Sequence, residues 1–259
     1  MKRKSNIWIL RILFSTMFIV TLLLGIILKP VLSYANKTIY KNLAVFHSEP
    51  LDAKFLKVLD QALLDLKSSE LYQPKLHLDV CLNDGSIYPK LIKAIREPAF
   101  AWGFYNKVVL QGTMNCEKNY VELNGYKWNL SQLLAHEMTH CLQFDRFGLF
   151  KSKPFANIPN WKWEGYAEYV SRRKSNQNDL VKNLDRLFQS NSHTWEIVME
   201  DSTISSREYY NYWTLVQYSL DIKHWTYQQL LDAKTSEGIM REEMLAWYAD
   251  QKSQKATLY

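Results

Sequence analysis

Seventeen consecutive residues, Ile12–Leu28, carry no charge, and no other stretch of the chain is so apolar. Beyond it the hydrophobic positions become periodic. Phe55, Leu59, Leu63 and Leu66 recur at helical spacing and predict an amphipathic helix over Leu51–Lys67. Leu76, Leu78, Val80 and Leu82 alternate with His77, Asp79 and Cys81, the period-two pattern of a half-buried strand. Strands are also expected at Leu43–His47, at Ala99–Tyr105 and Lys107–Gln111 around Asn106, and at Tyr120–Leu123 before Asn124-Gly125. Tyr88–Ile95 reads as a short helix and Asn36–Asn42 as a polar linker. After Trp128 the pattern is almost wholly helical, with segments near 129–147, 160–174, 179–189, 207–222, 226–234 and 239–251. The expected fold class is therefore α+β, with a mixed α/β half (36–128) followed by a helical half (129–259).

The apolar run changes the picture of the first 35 residues. Extended back to Ile7, it is long enough at 1.5 Å per residue to cross a bilayer core of about 30 Å, with Arg11 able to reach the headgroups. Lys2, Arg3 and Lys4 predict a cytoplasmic N-terminus and an extracytoplasmic remainder. Ser33-Tyr34-Ala35 offers small residues at a possible cleavage site, so residues 1–35 are either a retained anchor, which the length of the run favours, or a signal peptide. The formal charge of +6 does not imply a nucleic-acid partner. Lys2, Arg3, Lys4, Arg11 and Lys29 have no acid near them and hold most of the excess. The run Arg172-Arg173-Lys174 is expected to be a solvated helix end. Of the three cysteines, Cys81 and Cys116 are a possible disulfide, and Cys141 is expected to be a small buried filler.

Candidate chemistry is concentrated in His136-Glu137-Met138-Thr139-His140. On a helix capped by Asn129 or Ser131 and stopped near Gly148, the two histidines leave one face about a turn apart. That spacing suits two ligands of one tetrahedral zinc, with Glu137 as general base toward a water the ion would activate. A catalytic site needs a third protein ligand. A histidine six residues after His140 would supply it in one known class, but Arg146 stands there and Gln143 replaces the glycine of that class. Trp163-Glu164-Gly165-Tyr166-Ala167-Glu168-Tyr169 offers a glutamate on the next helix instead.

With these residues in hand, the stretch from about 130 to 222 resembles the gluzincins, zinc peptidases whose third ligand is a glutamate, and within them the small relatives of the aminopeptidase branch. The resemblance implies a zincin-like domain with its active site where the two halves meet. It implies His136, His140 and Glu164 as ligands of one Zn2+ and Glu137 as the base. Glu168 resembles an acidic residue that orients a ligand histidine; its service as the ligand itself stays open. The family's oxyanion donor, a tyrosine opening a later helix, corresponds to Tyr209, with Tyr210, Tyr212, His193 and His224 as alternatives. Gly112-Thr113-Met114-Asn115 lacks the glutamate with which the family's exopeptidases hold a free amine. Lys107–Gln111 is the candidate edge strand for an extended peptide. The function expected is a membrane-anchored, extracytoplasmic metallopeptidase acting on a peptide or protein. Two alternatives remain open: a zincin-fold binding module without turnover, and a metal-free structural anchor protein.

Overall fold

A computed structural model of the chain describes residues 2–96, 98–173 and 177–257. Its first element is α1 (Lys2–Leu28), long and apolar enough over Arg11–Leu28 to cross a membrane. Then come β1 (Asn36–Tyr40), β2 (Leu43–His47), α2 (Ala53–Leu66), β3 (Leu78–Cys81), α3 (Tyr88–Ile95), β4 (Ala101–Phe104) and β5 (Lys107–Leu110). A small antiparallel sheet follows, β6 (Thr113–Asn115), β7 (Tyr120–Leu123) and β8 (Tyr126–Asn129). The rest is mainly helical: α4 (Leu130–Phe147), α5 (Asn160–Arg172), α6 (Leu180–Gln189), the hairpin β9 (Glu196–Val198) and β10 (Ile204–Ser206), α7 (Arg207–Gln217), α8 (Tyr227–Asp232) and α9 (Glu237–Thr257).

The main sheet is mixed, in the order β1-β2-β3-β5-β4, with β2, β3 and β5 parallel and the outer strands antiparallel. Its register explains the two faces. Val45, Val80, Val108 and Gly103 share one row across β2, β3, β5 and β4; Phe46, Cys81, Val109 and Trp102 form the next. Because side chains alternate along a strand, the first row meets α2 and α4 while the second points away. Leu59, Leu63, Leu134, Met138 and Val170 complete the main core over the first row. The opposite face is covered by Tyr88 and Ile92 of α3, by Tyr34, and by Ile26 and Ile27 at the end of α1.

Several expectations change. Residues 36–40 are not a linker but an antiparallel strand, paired from Asn36 with His47 to Tyr40 with Leu43. Hydrophobic periodicity missed it because an edge strand buries little. Lys107–Leu110 is not an edge: β5 lies between β3 and β4, and β4 takes the outside position. The alternation that left Cys81 on an open face is overruled by the second layer, since Cys81 is fully buried. Cys81 and Cys116 are free thiols and form no disulfide, as is Cys141, which is buried as expected. Arg172 is not a solvated helix end but 1% exposed, while Lys174 lies outside the described residues.

Candidate metal centre

The polypeptide entering α4 is fixed before any chemistry begins. Asn129 caps the helix by accepting from the Gln132 amide at 3.2 Å, and Ser131 does not take that role. Gly148 ends the helix at φ 75°, a conformation glycine adopts without strain. Between them every residue from Leu130 to Phe144 is buried, His136, Glu137 and His140 included.

His136, His140 and Glu164 converge, one potential ligand atom from each lying within 4.8 Å of the others. The two Nε2 atoms are 3.1 Å apart, and Glu164 Oε2 stands 3.1 Å from that of His140 and 3.4 Å from that of His136. Ligands about 2.05 Å from a tetrahedral zinc are themselves about 3.3 Å apart, so the triangle has the size such an ion requires. The tautomers agree. Gln143 spends its amide N–H groups on the Trp163 carbonyl (3.1 Å) and the Tyr227 hydroxyl (2.7 Å), so its Oε1 accepts from His140 Nδ1 at 2.8 Å. His136 Nδ1 lies 3.2 Å from Glu168 Oε1, and neither atom has a hydrogen-bond partner elsewhere among the described residues. With a proton on each Nδ1, both Nε2 lone pairs face the Glu164 carboxylate. Three acceptors aimed at one buried point repel one another without a cation between them.

The carboxylates favour positive charge at the same point, as a proton on an imidazole or as a bound cation. Burial alone pulls the His136 pKa down, yet Glu164 and Glu168 outweigh it and push it up to about 10; His140 also moves up, chiefly through Glu164. The Glu164 carboxyl resists burial and stays below the usual range because the two histidines face it. Glu137 moves the other way, raised by burial despite both histidines. Its carboxylate accepts the Gly103 N–H, which ties α4 to edge strand β4. A Cβ on residue 103 would collide with the Glu137 backbone, so glycine is what lets α4 and β4 approach this closely.

A second line of support lies behind the histidines. Arg172 Nε donates to Glu168 Oε2 at 2.6 Å, its Nη1 reaches Gln132 and Gln177 at 2.9 Å each, and its plane lies over the Trp213 ring. Glu168 is accordingly held near a pKa of about 2, with Arg172 and His136 overcoming its burial. Gly165 permits the other close contact: a Cβ there would sit 2.6 Å from the Tyr212 carbonyl, so α5 and α7 touch backbone to backbone. That approach brings Tyr209, at the start of α7, into parallel stacking on His136 (5.9 Å between centroids, 7° between planes). Burial and four glutamates, Glu164, Glu137, Glu168 and Glu208, raise the Tyr209 pKa, so its phenol stays protonated and can donate.

His136, Glu137, His140, Glu164 and Tyr209 all line one cleft of about 650 Å³, bounded by Phe100, Trp102 and Gly103 on one side and Trp163 on the other. Glu168 lies behind His136 and not in the cleft. The other donor candidates lie elsewhere. Tyr210 bonds Arg186 and Asn183, Tyr212 bonds Glu208, and His193 and His224 are exposed away from the cleft. Sequence reasoning missed Gln143, Arg172 and Gly103. Gln143 had a legible signal, an amide three residues after a ligand histidine on a buried helix. Arg172 had one too, four residues past Glu168. Gly103 is reached only through the tertiary fold.

No family model matches the chain, and no curated protein and no solved structure matches it.

Proposed function

We propose that this protein is a membrane-anchored, outward-facing zinc metallopeptidase of gluzincin type, hydrolysing peptide bonds in the cleft between β4 and α5. The observation that carries the reading is the His136–His140–Glu164 triangle with Glu137 one residue along the same helix. His136, His140 and Glu164 would hold the ion. Zinc in such a set supplies Lewis acidity, polarising a carbonyl and bringing a water's pKa toward neutrality.

The chain's own groups account for the rest. Gln143 and Glu168 keep both imidazoles turned with Nε2 toward Glu164, where the ion would be held. A polypeptide laid along the free edge of β4 would pair its backbone with the strand and present one carbonyl to the cleft. Glu137, its carboxyl raised by burial, takes the proton of the attacking water and returns it to the leaving amine. Tyr209, protonated and beside His136, donates its O–H to the oxyanion. The aromatic lining of the cleft favours apolar side chains beside the scissile bond.

Metal content of the full-length protein, purified in detergent, tests this first. About one zinc per chain is expected, lost in His140→Ala. Glu137→Gln should keep the zinc while hydrolysis of a quenched peptide library falls by about 10²–10⁴-fold. A metal-free wild type after zinc reconstitution, or undiminished cleavage by Glu137→Gln, refutes the assignment.

A further inference from the structure

The anchor is not joined to the cleft by a tether. The apolar helix is exposed along Arg11–Leu24, but Ile26 and Ile27 sink against Phe46, Cys81, Tyr88 and Val109 on the outer face of the main sheet. Tyr88 donates to the Ile27 carbonyl at 2.7 Å, at the very end of α1. Pro30 is buried, Ser86 bonds the Ser33 carbonyl at 2.7 Å, and Tyr34 donates to the Leu82 carbonyl at 2.8 Å while packing on Phe46 and Tyr88. From Tyr34 the chain passes directly into β1 at Asn36. Every few residues between the apolar helix and the sheet are thus bolted to the folded body.

Strand β4 carries that connection to the chemistry. Trp102 and Phe104 pack in the same outer cluster as Ile26 and Ile27, while Gly103 between them turns its row toward α4 and holds Glu137. Anchor and candidate base therefore sit on opposite faces of one strand, separated by about a layer of side chains, on the order of 10 Å. Around the point where α1 meets the body, Val31, Leu32, Ile87 and Ile95 are exposed apolar side chains, each more than half accessible. Lys29, Lys90, Lys93 and Arg96 are exposed among them. Apolar and basic groups side by side, continuous with a membrane-length helix, are the composition that settles into an anionic lipid interface. Arg96 ends α3 and also lines the cleft.

From this geometry we infer that the cleft lies at the membrane surface and takes its substrates there, as the extramembrane stretches immediately flanking another polypeptide's membrane anchor. The inference rests on the metallopeptidase reading above. A free soluble chain reaches the cleft only by diffusing to the interface, whereas a stretch leaving the bilayer nearby is delivered at the height of β4. The same bolting requires residues 26–34 to stay with the body, because cleavage after Ala35 would strip the outer face of Tyr34, Ile26 and Ile27.

The test uses the full chain with zinc in liposomes containing phosphatidylglycerol. One quenched fluorescent peptide is supplied in three forms: free, lipid-anchored through a linker of a few residues, and lipid-anchored through a long Gly-Ser linker. Both anchored forms share the same surface density, so their ratio reports height alone. The short-linked form should be cut at least tenfold faster than the long-linked one. Ile87→Asp/Ile95→Asp should shrink that ratio several-fold while leaving zinc content and free-peptide cleavage unchanged. Equal rates for short and long linkers overturn the inference while the metallopeptidase assignment stands. No cleavage of any form, or cleavage that survives Glu137→Gln, overturns both.

Discussion

The two faces of the main sheet are built from neighbouring rows of the same strands, yet they do different work. The face carrying Val45, Val80, Val108 and Gly103 is covered by helices whose own interior is polar, with His136, Glu137, His140, Gln143, Glu168 and Arg172 all buried. The face carrying Phe46, Cys81, Val109 and Trp102 is covered by apolar side chains, Tyr34 and Tyr88 adding only their peripheral hydroxyls. Buried charge is tolerated on the first face because nearly every member of the network has a partner. On the second, stability comes from area and shape, supplied by a segment whose composition belongs to a membrane. The site face should fail by losing metal and turnover, the anchor face by losing the fold around an intact site.

Three sets of variants press on that contrast. The largest effect is expected at Arg172. Arg172→Ala strands the Glu168 carboxylate in a fully buried position and should cost about 3–5 kcal/mol, with zinc affinity falling as His136 loses its support. Arg172→Met with Glu168→Gln should recover much of the stability and little of the zinc affinity. Thermal unfolding in detergent, read beside metal titration, separates the two. A double variant that regains neither would mean that the pair is a packing element and nothing more.

On the other face, Tyr34→Ala removes an aromatic ring between Phe46 and Tyr88 and should cost about 3 kcal/mol. Tyr34→Phe, which loses only the bond to Leu82, should cost about 1 kcal/mol. In both, zinc per folded chain and turnover per bound zinc should match the wild type. A drop in turnover at unchanged metal content would erase the distinction between the faces.

The smallest effect concerns pH. Burial would raise the Asp201 carboxyl, but bonds from Thr203 and from Asn129, the residue that caps α4, hold it below its ordinary value. A depressed carboxyl contributes stability that is fully present above the unfolded value near 3.9 and is lost as pH falls through the folded one. Asp201 is largely exposed, so solvent screening keeps the contribution below about 1 kcal/mol. Asp201→Asn should flatten the acid limb of the stability profile and leave neutral pH almost untouched; an unchanged limb would show that the cap stands without it.

Sequence alone went further for the site than for the sheet. Two histidines four residues apart on α4 are local in the chain, and helical periodicity puts them on one face before any fold is known. Helices α2, α4 and α6 also fell within a few residues of expectation, because each has a side-chain cap and α2 and α6 an amphipathic stripe as well. Strand β1 was not legible because an edge strand buries little, and the position of β5 was not because its parallel pairing with β3 spans α3, a relation that period-two patterning does not carry. The burial of Arg172 was hidden for the opposite reason. Beside Arg173 and Lys174 it looks like a charged helix end, and only the opposing Glu168, Gln132 and Gln177 make its interior position tenable.

The contact at Gly165 has a mechanical consequence. Helices that meet through long side chains can slide, because rotamers absorb the motion; helices that meet carbonyl against Cα have nothing to compress. Glu164 and Tyr209, though 45 residues apart in the chain, are therefore carried on one stiff splint formed by α5 and α7. Whatever widens the cleft falls to the opposite rim, where Phe100 leads into β4 and Tyr126 opens β8.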